Sequence, residues 1–266
     1  MDSVTVKRRG AQFVLGIFSI WAILLLVACA PPTVTDPNKK DPANTTDPAV
    51  PGVGNTPTPP TATIPPVSEP KGPTPLVSAL WEKSNPKDGA SWTSYALTVV
   101  KDYGSNLVAG TTDVTNFCPA YLSLNADQKM SFWVYLVSAV TKFESGYSPT
   151  NRFRESTMGT DPITKQQVWS EGLLQLSYQD SLNYKFCNEF DWSKDSLLAA
   201  SDSKKTILDP YKNLKCGIRI MNQIMGSHHA IAYGSGHYWS TLKTTSKYNK
   251  VKEIQALTNQ VAFCRK

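Results

Sequence analysis

Histidine is scarce in this chain: His228, His229 and His237 are all it has, and no Cys-x-x-Cys pair accompanies them. Metal-ligand spacing is therefore missing, and neither a metal centre nor an organic cofactor is expected. Sustained period-two alternation is also scarce, which argues against a fold built on sheets. No basic cluster interleaved with aromatics occurs, and a formal charge of +6 is too small a surplus to suggest a nucleic-acid partner. From residue 30 to about 75 large apolar side chains are nearly absent. A stretch such as Thr56-Pro57-Thr58-Pro59-Pro60, with Pro65, Pro66 and Pro70 beyond, has nothing to bury and is expected to stay disordered.

What precedes that stretch reads as an address. Lys7, Arg8 and Arg9 form a basic start, and Phe13 to Val27 is an apolar run too short for a stable span, as in a secretory signal. Leu26-Val27-Ala28-Cys29 resembles the bacterial lipobox, which implies a signal peptide over 1–28 and a lipid on Cys29. Loss of Met1 to Ala28 lowers the charge from +6 to +4. An uncleaved signal anchor is the alternative. Either way the rest of the chain is expected outside the cytoplasm, secreted across the inner membrane and tethered to a membrane, facing the periplasm or cell envelope. The linker, residues 29–75, has a reach on the order of 100 Å where it adopts polyproline II.

Cys118, Cys187, Cys216 and Cys264 remain, an even number in an oxidising compartment, and read as two disulfides. Three pairings are possible. Cys187–Cys216 with Cys118–Cys264 is favoured, the first closing a short internal loop and the second joining the ends of the domain.

From about Leu76 to 266 Trp, Tyr, Ile, Leu and Val become frequent, enough for one mainly α core. A helix is expected over Ser91–Leu107. A clearer one starts at Asn125, where Gln128 completes a capping box, and carries Met130, Trp133, Val134, Val137, Val140 and Thr141 at helical spacing. Gly146 and Pro149 end it. A further helix is expected to include Gly172–Asn183. Another starts with Asp209 as N-cap and Pro210 in the first turn, with Leu214, Ile218, Met221 and Met225 on one face. The last runs from about Asn249, with Val251, Ile254, Leu257 and Val261.

Glu144 continues the apolar face of its helix, four residues after Val140 and seven after Val137. A carboxylate there is partly desolvated, which raises its pKa. Glycosidic cleavage needs such an acid to protonate the leaving oxygen. A glutamate snorkelling to water is the plainer alternative.

Its neighbours carry a resemblance. Glu144-Ser145-Gly146-Tyr147-Ser148-Pro149 resembles the Glu-Ser-x-aromatic-x-Pro signature of the soluble lytic transglycosylases, relatives of goose-type lysozyme. Gly172-Leu173-Leu174-Gln175 is similar to that family's Gly-Leu-Met-Gln. Asp209-Pro210-Tyr211-Lys212-Asn213-Leu214 with Gly217 is similar to its Asp-Pro-x-x-Asn-Ile-x-x-Gly. Ala232-Tyr233-Gly234-Ser235-Gly236 stands where the family has Ala-Tyr-Asn-x-Gly.

The resemblance implies a lysozyme-like domain that cleaves peptidoglycan between N-acetylmuramic acid and N-acetylglucosamine, acting as a monomer. Glu144 would be the acid/base, Ser145 would lie near the reacting sugar, and Gln175 would line the cleft. Tyr233 would approach the carboxylate, with Tyr238 as a competitor because Gly234 replaces the family's Asn. Tyr147, Trp169, Tyr238 and Trp239 would stack on sugars or pack in the core. The segment Asn151–Trp169, with Arg152, Arg154, Glu155 and Asp161, would wall the cleft, cover it, or form a solvated loop. Lytic transglycosylation is the favoured route, needing one carboxylate because the sugar's own six-hydroxyl attacks, with muramidase hydrolysis as the alternative. A muramidase needs a second, for which Glu155, Asp161 and Glu171 are candidates. A wall-binding lipoprotein without turnover is the remaining alternative.

Overall fold

The computed structural model describes residues 73–265. Cys29, the signal segment and the linker up to residue 72 lie outside those residues. The helices in chain order are α1 (Trp81–Ser84), α2 (Gly89–Tyr103), α3 (Ser105–Ala109), α4 (Val114–Phe117), α5 (Ala126–Glu144), α6 (Asp180–Asn183), α7 (Trp192–Asp195), α8 (Pro210–His228) and α9 (Val251–Thr258). Two short strands, β1 (Arg152–Arg154) and β2 (Trp169–Glu171), pair antiparallel between α5 and α6. No helix among the described residues is long and apolar enough to cross a membrane.

The mainly helical expectation holds, and α5 is the post around which the domain is built. Its start follows the sequence signal: the Asn125 side chain accepts from the Gln128 amide at 2.9 Å, and the Gln128 side chain accepts from the Asn125 amide at 3.0 Å. Every residue from Ser131 to Thr141 is buried, so the helix is covered on all sides, as an internal helix must be. Helices α2, α3 and α9 pack on it, and α8 packs against α2 and α3. Polar groups inside this shell are satisfied. Trp133 Nε1 donates to the Tyr121 hydroxyl at 2.8 Å, which donates to the Leu107 and Val108 carbonyls. Ser131 and Ser138 accept from the amides of Leu76 and Leu80 at 3.2 and 3.1 Å. The chain thus docks on α5 from Leu76 onward, where the composition changes.

Helix α8 begins as the sequence reads. Asp209 accepts from the amides of Tyr211 and Lys212, and Pro210 occupies the first turn. Leu214, Ile218, Met221 and Met225 are buried on one face. Both favoured disulfides are present, Cys118–Cys264 and Cys187–Cys216, with Cα atoms 4.6 and 5.0 Å apart.

Three expectations need correction. The helix expected over Ser91–Leu107 is two helices, α2 and α3, divided at Gly104. The last helix stops at Thr258, and Val261 precedes a single 3-10 turn. The larger error is Gly172–Asn183, of which only Asp180–Asn183 is helical. Gly172 (φ 79°) and Gln175 (φ 50°) are left-handed, and Glu171 and Leu176 exchange backbone hydrogen bonds of 2.7 and 2.9 Å across the resulting turn. Leu173, Leu174 and Leu176 are fully buried there, an apolar run that imitates a helix.

Candidate functional site

The turn after β2 is fixed by α8. Asn213 is fully buried. Its amide nitrogen donates to the carbonyls of Glu171 and Ile207 at 3.1 and 3.0 Å, and its oxygen accepts from the Leu174 amide at 2.8 Å. A Cβ on Gly172 would lie 2.4 Å from the Asn213 side chain, and one on Gly217 would lie 2.3 Å from Leu174. Both glycines are therefore demanded by close approach. The two short motifs, distant in sequence, are one structural joint that sets Gln175 in place.

Glu144 ends α5. Ser145 is the C-cap and Gly146, with φ 61°, turns the chain away, the usual left-handed helix stop. The carboxyl meets two adjoining cavities of about 410 and 430 Å³. Both are lined by Glu144, Glu155, Ser170, Gln175 and Ser240, so they form one groove with these residues at its middle. Glu144 Oε1 accepts from the Thr241 hydroxyl at 2.5 Å. Its pKa is pushed up to about 7. Burial is the main cause, the Thr241 hydroxyl opposes it, and the nearby Glu155 charge adds to it. Protein surrounds the carboxyl on most sides, while the groove leaves it reachable.

Glu155 follows β1, on the hairpin arm opposite Glu144, and accepts from the Ser170 hydroxyl at 2.5 Å. The segment Asn151–Trp169 is thus a hairpin wall of the groove, with Thr157 and Met158 lining it as well. Asp161 organises that hairpin. It is buried, accepting from the amides of Ile163, Thr164 and Gln179.

The other expected site residues divide. Gln175 lies in the groove, its amide nitrogen donating to Gly172 O at 2.8 Å and Asn151 O at 3.3 Å. Tyr238 also lines it and donates to Asp180 Oδ2 at 2.6 Å. Burial pushes the Asp180 carboxyl up, against hydrogen bonds from Tyr238 and Ser177. Burial, then Asp180, raises the Tyr238 phenol well above its ordinary value. Tyr233 lines neither groove cavity; it is stacked on His228 at 4.2 Å and faces a neighbouring recess that shares Tyr184 and Tyr238 with the groove. Burial lowers His237 to about 4; it is a neutral core group held by Ile231 O and the Trp239 amide.

Ser145 is buried, its hydroxyl bonded back to Thr141 O at 3.3 Å, so it shapes the helix end. Tyr147 packs against the core and lines neither groove cavity. Glu171 is not in the groove. It is buried between Arg152 (2.7 Å) and Lys205 (3.0 Å) and lines a different recess. Trp169 lies under the Arg152 guanidinium at 4.4 Å, and Trp239 is buried with Nε1 donating to Leu174 O.

Thr241, Asp180 and Ser170 were not singled out by any sequence signal. Thr241 is 97 residues from the carboxyl it touches, and no local pattern announces such a contact.

The helical shell around a buried central helix, with a glutamate at its end opening on a groove beside a short hairpin, is a lysozyme-like fold. The chain is similar to the Bdellovibrio protein DslA, whose wild-type structure shares 28% identity with a TM-score of 0.59 and covers 71% of this chain and 98% of that one. Two structures of DslA variants match with the same identity and coverage, at TM-scores of 0.60 and 0.59. Each carries one glutamate-to-glutamine substitution, and the two sites are eleven positions apart in DslA. No family model and no curated protein matches the chain.

Proposed function

We propose that this protein cleaves the glycan strands of peptidoglycan, between N-acetylmuramic acid and N-acetylglucosamine, with Glu144 as the general acid. The observation that carries the reading is a carboxyl with its pKa near 7, held by Thr241 at the centre of an open groove. Such a group gives up and retakes a proton at neutral pH. Glu144 protonates the glycosidic oxygen as the bond from that oxygen to C1 of the muramyl sugar breaks, and positive charge develops on the ring.

Glu155 favours a hydrolytic route. It faces the same groove, and it stands eleven residues after Glu144, the separation of the two substituted glutamates in DslA. In that route Glu155 accepts a proton from water while the water oxygen attacks C1. The Ser170 hydroxyl aims its carboxylate. The motif resemblance and Tyr238 beside the groove support the second reading, lytic transglycosylation. There the six-hydroxyl of the same sugar attacks C1 and Glu144 takes its proton, giving a 1,6-anhydro end with no water consumed. Lipid attachment at Cys29 would keep the enzyme at a membrane facing the wall.

Mass spectrometry of products from purified strands separates the routes. A reducing muramyl end, lost in Glu155→Gln, is the expected result. An anhydro end with Glu155→Gln still active would establish transglycosylation. Absence of any product from the purified strands would leave a wall-binding protein and refute both.

A further inference from the structure

The two arms of the groove differ in charge. The cavity on one side of Glu144 has no lysine or arginine in its lining; its ionisable groups are Glu144, Glu155, Asp180 and two tyrosines. The cavity on the other side is lined by Arg152, Lys247 and Lys250, together with the aromatic rings of Phe143, Phe153 and Tyr248. Phe153 and Tyr248 are more than half exposed, at 57% and 56%, so this arm offers two ring faces on which an apolar sugar face can pack.

The cations are not equally committed. Arg152 is tied to Glu171 at 2.7 Å. Lys250 meets Glu253 at 2.9 Å in an exposed pair, which holds it weakly. Lys247 forms no ion pair among the described residues, and its ammonium lies 4.9 Å from the Tyr248 ring centre. Glu155 and Glu144 are the acids that line this arm, and both sit at the junction with the other one.

Resting on the glycan-cleavage reading, we propose that the Lys247–Lys250 arm is a polarity-setting subsite. It takes a sugar bearing an anionic substituent, with Phe153 and Tyr248 against the sugar and the two lysines on the acid. On a muramyl unit that acid is the lactyl carboxylate of a naked strand, or the carboxylates of a stem peptide. The arm without cations receives the uncharged neighbour, so charge fixes which way a strand lies across Glu144.

Affinity of the Glu144→Gln protein is measured for three probes of equal length: an uncharged β-1,4-linked N-acetylglucosamine oligomer, a naked glycan strand, and a strand carrying stem peptides. The naked or the peptide-bearing strand should bind more tightly than the uncharged oligomer, by a margin that shrinks with salt. Whichever binds more tightly names the source of the acid. Lys247→Gln with Lys250→Gln should weaken the anionic probes roughly three- to tenfold and leave the uncharged one within twofold. Lys247→Glu should weaken them further. Equal losses for charged and uncharged probes, or no loss for any, overturn the proposal. Should Glu144→Gln still cleave, the acid/base reading falls separately, and the same comparison is then made from KM values of the two lysine variants.

Discussion

Replacing Glu171 with glutamine tests whether this carboxylate is a strut or a catalytic partner. It is 2% exposed, as is Lys205, and Arg152 approaches from the groove side with 15% of its side chain exposed. Removing one member of a buried pair typically costs about 3–5 kcal/mol, because the other charge is left without compensation. Arg152 can turn toward water and stacks on Trp169. Lys205 has no such escape, being enclosed near the Tyr178 and Trp192 rings with only the Ala200 carbonyl as a further partner. Glutamine keeps one acceptor for it, which places the cost near the lower end, about 3 kcal/mol. For a domain of this size that is a fall in melting temperature of roughly 6–12 °C. Thermal unfolding with the disulfides intact gives the number, and the residual activity below the transition should keep its pH profile. A variant in which Glu171→Leu is combined with Lys205→Met should lose less, since no buried charge is then orphaned. Unchanged melting with abolished turnover would refute the strut and make Glu171 a reacting group.

Three further outcomes follow from the same contacts. Thr241→Val removes a hydroxyl that holds the Glu144 pKa down, so the basic limb of kcat/KM should move up from near 7 by about one pH unit; a limb that stays or moves down contradicts the contact. Glu144 has its folded pKa raised from 4.5 to about 7, so its contribution to stability is complete below the unfolded value and is lost as pH rises through about 7. Full ionisation should cost roughly 3–3.5 kcal/mol, and the stability advantage of Glu144→Gln should therefore widen from pH 5 to pH 8; a difference independent of pH would deny the desolvation. Breaking Cys118–Cys264, which spans 146 residues, should cost more than breaking Cys187–Cys216, which spans 29. Chain entropy gives about 5 against about 3.6 kcal/mol, and urea unfolding of the paired Cys→Ser variants checks the order.

The sequence was most readable where a local rule is decisive. Asn125 with Gln128, and Asp209 with Pro210, each fix a helix start by satisfying amides within one turn. The depth of α5 is visible in the apolar run Phe132–Val137, and burial at the end of that helix is the main cause of the raised Glu144 pKa. Gly172–Asn183 imitates a helix because Leu173, Leu174 and Leu176 are buried from within a turn, where Leu174 packs on Gly217 of α8. The turn that contains the left-handed Gln175 is held by Asn213 and Gly217, some forty residues away, through Glu171, Gly172 and Leu174. The two tyrosines show the same limit: Tyr233 matches the motif register, yet Tyr238 reaches the groove because the chain around His237 is pinned to Ile231 and Trp239. Glu155 and Glu171 have equally plain surroundings in sequence. The partners Arg152, across the hairpin, and Lys205, from a distant loop, separate the buried strut from the carboxylate left facing the groove.

The most direct test of the central claim is the rate of glycan-strand cleavage by Glu144→Gln. The amide fills the same space and can still accept the Thr241 hydroxyl, but it has no proton to give the leaving oxygen. General acid catalysis contributes on the order of 10²–10⁴ in rate, so turnover of purified strands should fall by at least that range while strand binding survives. Cleavage at an undiminished rate by a folded Glu144→Gln protein would contradict the account.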